Sequence, residues 1–285
     1  MELPKKKKRA DTDLAQYTGL IYGREKIGKT TFLSTFPDAL FLTTEPGTKG
    51  LEIYEIPIKT WTDLLKAVKL LENDNRFKTV IIDTIDNAYD LCLEYVCKRS
   101  GIEYPGEDER GKKDYGKSWK KIRMEFLRVI NRILNTGRGL WFTSHVRETE
   151  LNSRSGQRWD RIHPSMAGQA RAVIEALVDM FIYAEYMRDK DGNTIRVLIC
   201  QGDETVWAGH RQAGTGKGLP PILPLNKEDG YGVLNEAFKS GEGGLDPVSL
   251  KPAKETSEIA GKYVKGFMAR TKATKKKKPI RRKTK

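Results

Sequence analysis

Cysteine is scarce: Cys92, Cys97 and Cys200 are the only three in 285 residues, and no C-x-x-C pair occurs. An odd, unpaired set supplies neither a disulfide framework nor a zinc site, and it fits a reducing cytoplasm, the expected location. No apolar run approaches the roughly 20 residues that a membrane-spanning helix needs, so no membrane role is expected. The basic start, Pro4 to Arg9, leads into Ala10-Asp11-Thr12-Asp13 and not into an apolar segment, so it does not read as a signal peptide. Acid is missing altogether from residues 270–285, which carry ten basic side chains. No internal repeat is visible.

The charge that is present is uneven. The formal net charge is +14, yet Lys5 to Arg9 supply five positive charges and the last stretch ten, which, with Glu2 set aside as well, leaves the remainder formally neutral. Like-charged blocks repel themselves, stay disordered and act as tails for polyanions, of which nucleic acid is the commonest; a solubility tail is the alternative. Pro4 to Arg9 also matches the pattern of a nuclear-import signal. Between the tails, 38% hydrophobic and 32% charged residues suit one α/β domain of about 200 residues plus extra segments.

Apolar strands alternate with helical patterns through this middle part. Thr18 to Tyr22, Ala39 to Thr44, Thr79 to Asp83 and Gly139 to Ser144 read as buried strands, and Tyr54 to Ile58 as a short edge strand. Thr30 to Phe36, Thr62 to Glu72, a segment from Asp83 to Lys98, and Trp119 to Leu134 read as helices. Residues 100–116 and 146–166 read as polar loops, the second followed by a helix to Val178. Met180 to Met187 and Thr194 to Cys200 then pair as a C-terminal β-hairpin. This order predicts a mostly parallel central sheet with helices on both faces. After about residue 225 the pattern fades, and Gly241-Glu242-Gly243-Gly244 reads as a linker. The expected organisation is an arm over 1–16, a core over 17–240, and a linker with polybasic tail over 241–285, with a short helix near Ile259 to Met268.

Gly23-Arg24-Glu25-Lys26-Ile27-Gly28-Lys29-Thr30 matches G-x-x-x-x-G-K-[ST] in full, between a strand and a helix. Backbone N–H groups of such a loop wrap phosphate oxygens, and the helix N-terminus that includes Thr31 adds to the field. Lys29 is expected on the β- and γ-phosphates of ATP, and the Thr30 hydroxyl on Mg²⁺. Asp83 closes an apolar strand and is the expected second metal ligand; Asp86 is an alternative or caps the next helix. Glu45, at the end of the second strand, could orient or deprotonate the attacking water, or it could be a surface turn beside Pro46. His145 ends the fourth strand, where a polar tip can touch the γ-phosphate.

These four positions together resemble the core of the RecA/RadA superfamily. Thr43-Thr44-Glu45-Pro46-Gly47-Thr48 and Thr143-Ser144-His145-Val146 resemble a narrower group, phage-encoded RecA-like ATPases that act as single-strand-annealing recombinases. The resemblance covers roughly residues 18–225. It implies DNA binding through residues 100–117 and 146–164, the second carrying Arg147, Arg154, Arg158, Trp159 and Arg161. Arginines grip phosphates while a ring stacks on a base, which suits single strands; a solvated charged loop is the alternative. It also implies a basic residue donated to the neighbouring subunit's site, at Arg211, and hence a homo-oligomer, either ring or filament. Two departures stand out: the sensor is His145 where RecA has Gln, and no recognisable polymerisation domain precedes residue 17.

The function expected from this reading is ATP-dependent binding of single-stranded DNA, with annealing or strand exchange in phage recombination or replication. A single-strand-binding protein is a further expected partner. A helicase or packaging motor on the same fold, or a non-hydrolysing nucleotide-gated DNA adaptor, are the competing readings.

Overall fold

The structure, a computed structural model, describes residues 3, 5–7, 12–152, 156, 158–211 and 218–253. A 3-10 turn at Leu14–Gln16 leads into β1 (Thr18–Gly23), and the loop after it delivers the chain to α1 (Lys29–Leu33). Next come β2 (Ala39–Thr43), β3 (Tyr54–Pro57), α2 (Trp61–Leu71), β4 (Thr79–Asp83), α3 (Ile85–Arg99) and α4 (Lys117–Leu134). Then follow β5 (Gly139–Ser144), β6 (Val146–Asn152), β7 (Arg158–Pro164), α5 (Gly168–Leu177), β8 (Met180–Arg188) and β9 (Thr194–Ile199). The described chain closes with β10 (Gly209–His210), β11 (Ile222–Pro224), α6 (Gly230–Ser240) and β12 (Lys251–Pro252).

The main sheet has the order β11-β9-β8-β1-β5-β4-β2-β3. All neighbours from β8 to β3 in that path run parallel, while β9, β10 and β12 run antiparallel to β8. The fold is therefore α/β with a mixed, mainly parallel sheet. Every residue of β1, β2, β4 and β5 is buried, the mark of strands covered on both faces. Alternate side chains feed two cores. Leu20, Leu42, Ile82 and Phe142 pack under α2 to α5, whereas Ile21, Phe41, Ile81 and Trp141 meet α1 and α6. Burying each such side chain contributes about 1.5–3 kcal/mol. Gly19 is needed for this packing: a Cβ there would stand 2.3 Å from the Trp141 ring.

Three expectations need correction. Residues 146–166 are not a loop but mostly a β-hairpin, β6 and β7, paired from Val146↔Pro164 to Asn152↔Arg158. Its strands carry polar side chains on exposed faces, so no apolar alternation announces them. Order does not fade at 225 either: α6 buries Leu234, Ala237 and Phe238 against the α1 side of the sheet. Gly241 caps α6 in the left-handed conformation at φ 75°, and Leu245 N donates to the Ile222 carbonyl, so the glycine-rich segment is a return turn, not a linker. The core also begins earlier and ends later than 17–240, since Leu14, Ala15 and Leu250 are buried. Arg154, the helix expected near Ile259 to Met268 and the basic stretch 270–285 lie outside the described residues. Among the described residues no helix is long and apolar enough to cross a membrane.

Candidate functional site

The parallel strands β1, β5, β4 and β2 end on one edge of the sheet, and the loop from Gly23 to Gly28 turns there into α1. Lys26 and Gly28 hold positive φ (58° and 112°), which leaves the loop's peptide groups free to curl ahead of the helix. Ile27 is fully buried and contributes backbone alone, its side chain belonging to the core. Lys29 is 7% exposed, and its Nζ donates to the Gly23 and Arg24 carbonyls at 2.9 and 3.0 Å. Burial pushes this ammonium below its ordinary pKa, and the carboxylates of Asp83, Asp86, Glu45 and Glu25 push it back up.

Asp83, at the tip of β4, joins the loop to the sheet. Its Oδ2 accepts from Thr30 Oγ1 at 2.7 Å, and its other oxygen accepts from the Thr143 hydroxyl on β5. A hydroxyl beside a carboxylate is a hard-oxygen pair that fits Mg²⁺, which otherwise takes phosphate oxygens and water. Among the described residues no group of three or more His, Cys, Asp or Glu side chains could hold a metal, so an all-protein metal cage is not on offer. Asp86 is occupied elsewhere. It accepts from Ser144 Oγ at 3.0 Å and Ser165 Oγ at 2.5 Å, leaving Asp83 as the acid that meets Thr30.

Glu45 and His145 come together although they stand on different strand tips. Glu45 Oε1 accepts from Thr84 Oγ1 at 2.6 Å and Asn87 Nδ2 at 3.0 Å, and it lies 3.3 Å from His145 Nε2. Thr44 ties the Glu45 tip to the end of β4: its hydroxyl donates to the Thr84 carbonyl and accepts from the Thr84 N–H, each at 2.9 Å. Lys29, Thr30, Thr31, Asp83, Glu45 and His145 line one cleft of about 540 Å³, together with Glu25, Lys26 and Gly28. Lys227 lines it too. No motif carries that residue; it arrives from the turn after β11, a part of the chain where the sequence pattern had weakened.

Arg211 is placed far from this cleft. Its backbone N–H donates to Asp179 O, its guanidinium bonds Asp179 Oδ1 at 3.3 Å and Ala176 O at 2.5 Å, and Asp179 in turn accepts from Thr18. Thr18 opens β1 and Gly23 closes it, so Arg211 sits at the opposite end of the sheet and is engaged within its own chain.

The hairpin sorts the remaining candidates by face, because directly paired residues of an antiparallel ladder share a side. Arg147, Thr149, Leu151, Trp159, Arg161 and His163 lie on one face. Glu148, Glu150, Asp160 and Arg158 lie on the other, where Arg158 and Glu150 form a 3.6 Å ion pair. Arg161 does not reach outward: its guanidinium lies 4.8 Å from the centre of the Trp207 ring, which Arg171 also approaches at 5.4 Å and which stacks on Phe181. His163 is buried beneath them. Burial first, and then the Arg171, Arg147 and Arg161 cations, hold its pKa below the ordinary value against the bond to the Pro164 carbonyl.

Residues 15–212 match the family described as AAA domain. No curated protein matches the chain. Among solved structures, a KaiC-like protein from the hyperthermophilic archaeon Pyrococcus horikoshii OT3 shares 16% identity at a TM-score of 0.39, over 65% of this chain and 78% of that one.

Proposed function

Because the chain belongs to the AAA domain family, as a P-loop NTPase, we propose that it hydrolyses ATP with Mg²⁺ and uses the cycle to bind and release single-stranded DNA. In this reading it serves annealing or strand exchange of the kind that phages encode. One observation carries the hydrolytic half: Lys29, Thr30, Asp83, Glu45 and His145, from four separate stretches of sequence, line a single cleft.

Each side chain has a task that its surroundings allow. The loop N–H groups and Lys29 grip the β- and γ-phosphates, and Lys29 leaves the Gly23 and Arg24 carbonyls to do so. Thr30 and Asp83 are the residues that would hold Mg²⁺, which when bound neutralises charge on the phosphate oxygens. Glu45 is the candidate general base: it is ionisable, half-exposed to the cleft and fixed by Thr84 and Asn87, so it can orient water and take its proton. His145, at 3.3 Å from Glu45, is the group positioned to register the γ-phosphate.

The DNA half rests on chemistry and placement. The His145 carbonyl accepts from Ser165 N, and Asp86 binds both Ser144 and Ser165, so the strand tip next to the cleft is tied to the end of the hairpin. A shift of His145 toward phosphate would pull on that tie. On the hairpin's basic face Arg147 is exposed and suits a phosphate, and the partly buried Trp159 on the same face offers a ring for a stacked base. The basic stretch 270–285 supplies a sequence-independent grip on the same polyanion. A homo-oligomer, a single-strand-binding partner and a cytoplasmic setting complete the proposal.

The test is ATP turnover with and without single-stranded DNA, for the wild type, Lys29→Ala and Glu45→Ala, beside annealing of complementary oligonucleotides. Stimulation by single strands and its loss in both variants are expected. Stimulation by duplex alone points instead to a translocating motor.

A further inference from the structure

We propose that Lys227 is a second phosphate-binding lysine, which grips the nucleotide at its nucleoside end, on or beside the α-phosphate. This rests on the NTPase reading above and adds a residue to it.

Lys227 is held in place by the helix that carries the phosphate loop. Leu225 N donates to the Arg196 carbonyl, which ends the β11 strand firmly against β9. Asn226 Oδ1 then accepts from the Glu228 and Asp229 N–H groups, and Asp229 caps α6 by accepting from Gly232 N. Tyr231 N donates to Thr35 Oγ1 just beyond α1, and a Cβ at Gly230 would stand 2.6 Å from the Phe32 ring. The turn bearing Lys227 is therefore docked on α1 and cannot shift without it.

Its side chain lies directly over the loop. A Cβ added at Gly28 would meet Lys227 Cε at 2.7 Å and Nζ at 3.6 Å. Lys227 takes part in none of the ion pairs among the described residues, although it lines a cleft that contains Glu25, Glu45 and Asp83. An ammonium in a cleft beside the loop's N–H groups has one obvious kind of counterion, an anionic oxygen of the ligand.

Direction follows from the strand order. Asp83, Glu45 and His145 come from β4, β2 and β5, all on one side of β1. Lys227 arrives from β11, on the other side of β1 beyond β8 and β9. The reacting γ-phosphate belongs with the acids and the histidine, so Lys227 meets the opposite end of the phosphate chain. That end is common to ATP and ADP.

Calorimetry of Mg²⁺-ATP and Mg²⁺-ADP binding to the full chain tests this, with Lys227→Met (stem kept, charge removed), Lys227→Arg and Lys29→Ala. Lys227→Met should raise Kd for both nucleotides by the same factor, about tenfold, the scale of one charge-assisted hydrogen bond. The deficit should shrink at high salt, and Lys227→Arg should recover part of it. Unchanged binding in Lys227→Met overturns the inference, and so does a loss confined to ATP. A wild type that binds neither nucleotide overturns the underlying NTPase reading along with it.

Discussion

Thr30 Oγ1 donates to Asp83 Oδ2 at 2.7 Å across a separation of 53 residues. The bond ties the first turn of α1 to the tip of β4 and brings together the two protein oxygens best suited to a hard divalent cation. Thr30→Ala and Asp83→Asn should each lower kcat/KM for ATP by at least about 10²-fold and raise the Mg²⁺ concentration needed for half-maximal rate. A Mg²⁺ titration of turnover reads both. Unaltered Mg²⁺ dependence in Asp83→Asn would remove that residue from the metal site.

Glu45 and His145 share one hydrogen-bonded unit, with 3.3 Å between Oε1 and Nε2. Glu45→Gln keeps its shape and removes the base, so kcat should fall by about 10²–10⁴-fold while Mg²⁺-ATP still binds. His145→Asn should lower kcat less, and the double variant should be no worse than Glu45→Gln alone. Independent, additive losses would show that the two residues act separately.

On the hairpin the faces make opposite forecasts. Arg147→Ala and Trp159→Ala should weaken single-stranded DNA binding, Trp159 by about 1–3 kcal/mol if it stacks on a base. Arg158→Ala should matter little, because Arg158 lies on the acidic face and pairs with Glu150. Fluorescence anisotropy with a labelled oligonucleotide at several salt concentrations measures this. The opposite ranking would turn the DNA to the other face.

Leu234 is fully buried in the core that α6 forms with α1 and the sheet. Leu234→Ala should therefore cost about 2–5 kcal/mol of unfolding free energy. Urea denaturation followed by circular dichroism gives the value, and a loss below about 1 kcal/mol is the mark of an exposed site, not a core one.

Acid should weaken the fold through histidine. His163 and His210 both have folded-state pKa values below the ordinary 6.5, burial being the largest cause for each. Below about pH 6.5 the unfolded chain binds protons that the folded chain resists, so stability is whole above that pH and falls as pH drops toward the folded values. Thermal unfolding between about pH 7.5 and 5.5 should show a declining Tm, with a shallower decline in His163→Gln. An identical slope in that variant would acquit His163.

Much of this protein is legible in the one-dimensional pattern. Short, β-branched apolar runs such as Val80-Ile81-Ile82 favour strands covered on both sides, and the G-x-x-x-x-G-K-T run between strand and helix specifies a phosphate loop because its constraints are local. Asp83, Glu45 and His145 could be nominated since each polar residue ends an apolar strand, and parallel strands all end on the same edge.

The rest depended on what stands opposite what. Hairpin β6–β7 is held by cross-strand pairing and by Ile162 beneath it, and nothing in its polar sequence marks that pairing. Trp207 stands against Arg161 and Asp179 against Arg211, and no local stretch of sequence marks either pairing. Lys227 belongs to no motif, and only the docking of α6 on α1 carries it to the phosphate loop. Local chemistry along the chain determined which nucleotide-binding device this protein carries. Long-range packing decided which charges face the cleft, because a side chain's neighbours are set by the sheet's order and not by distance in sequence.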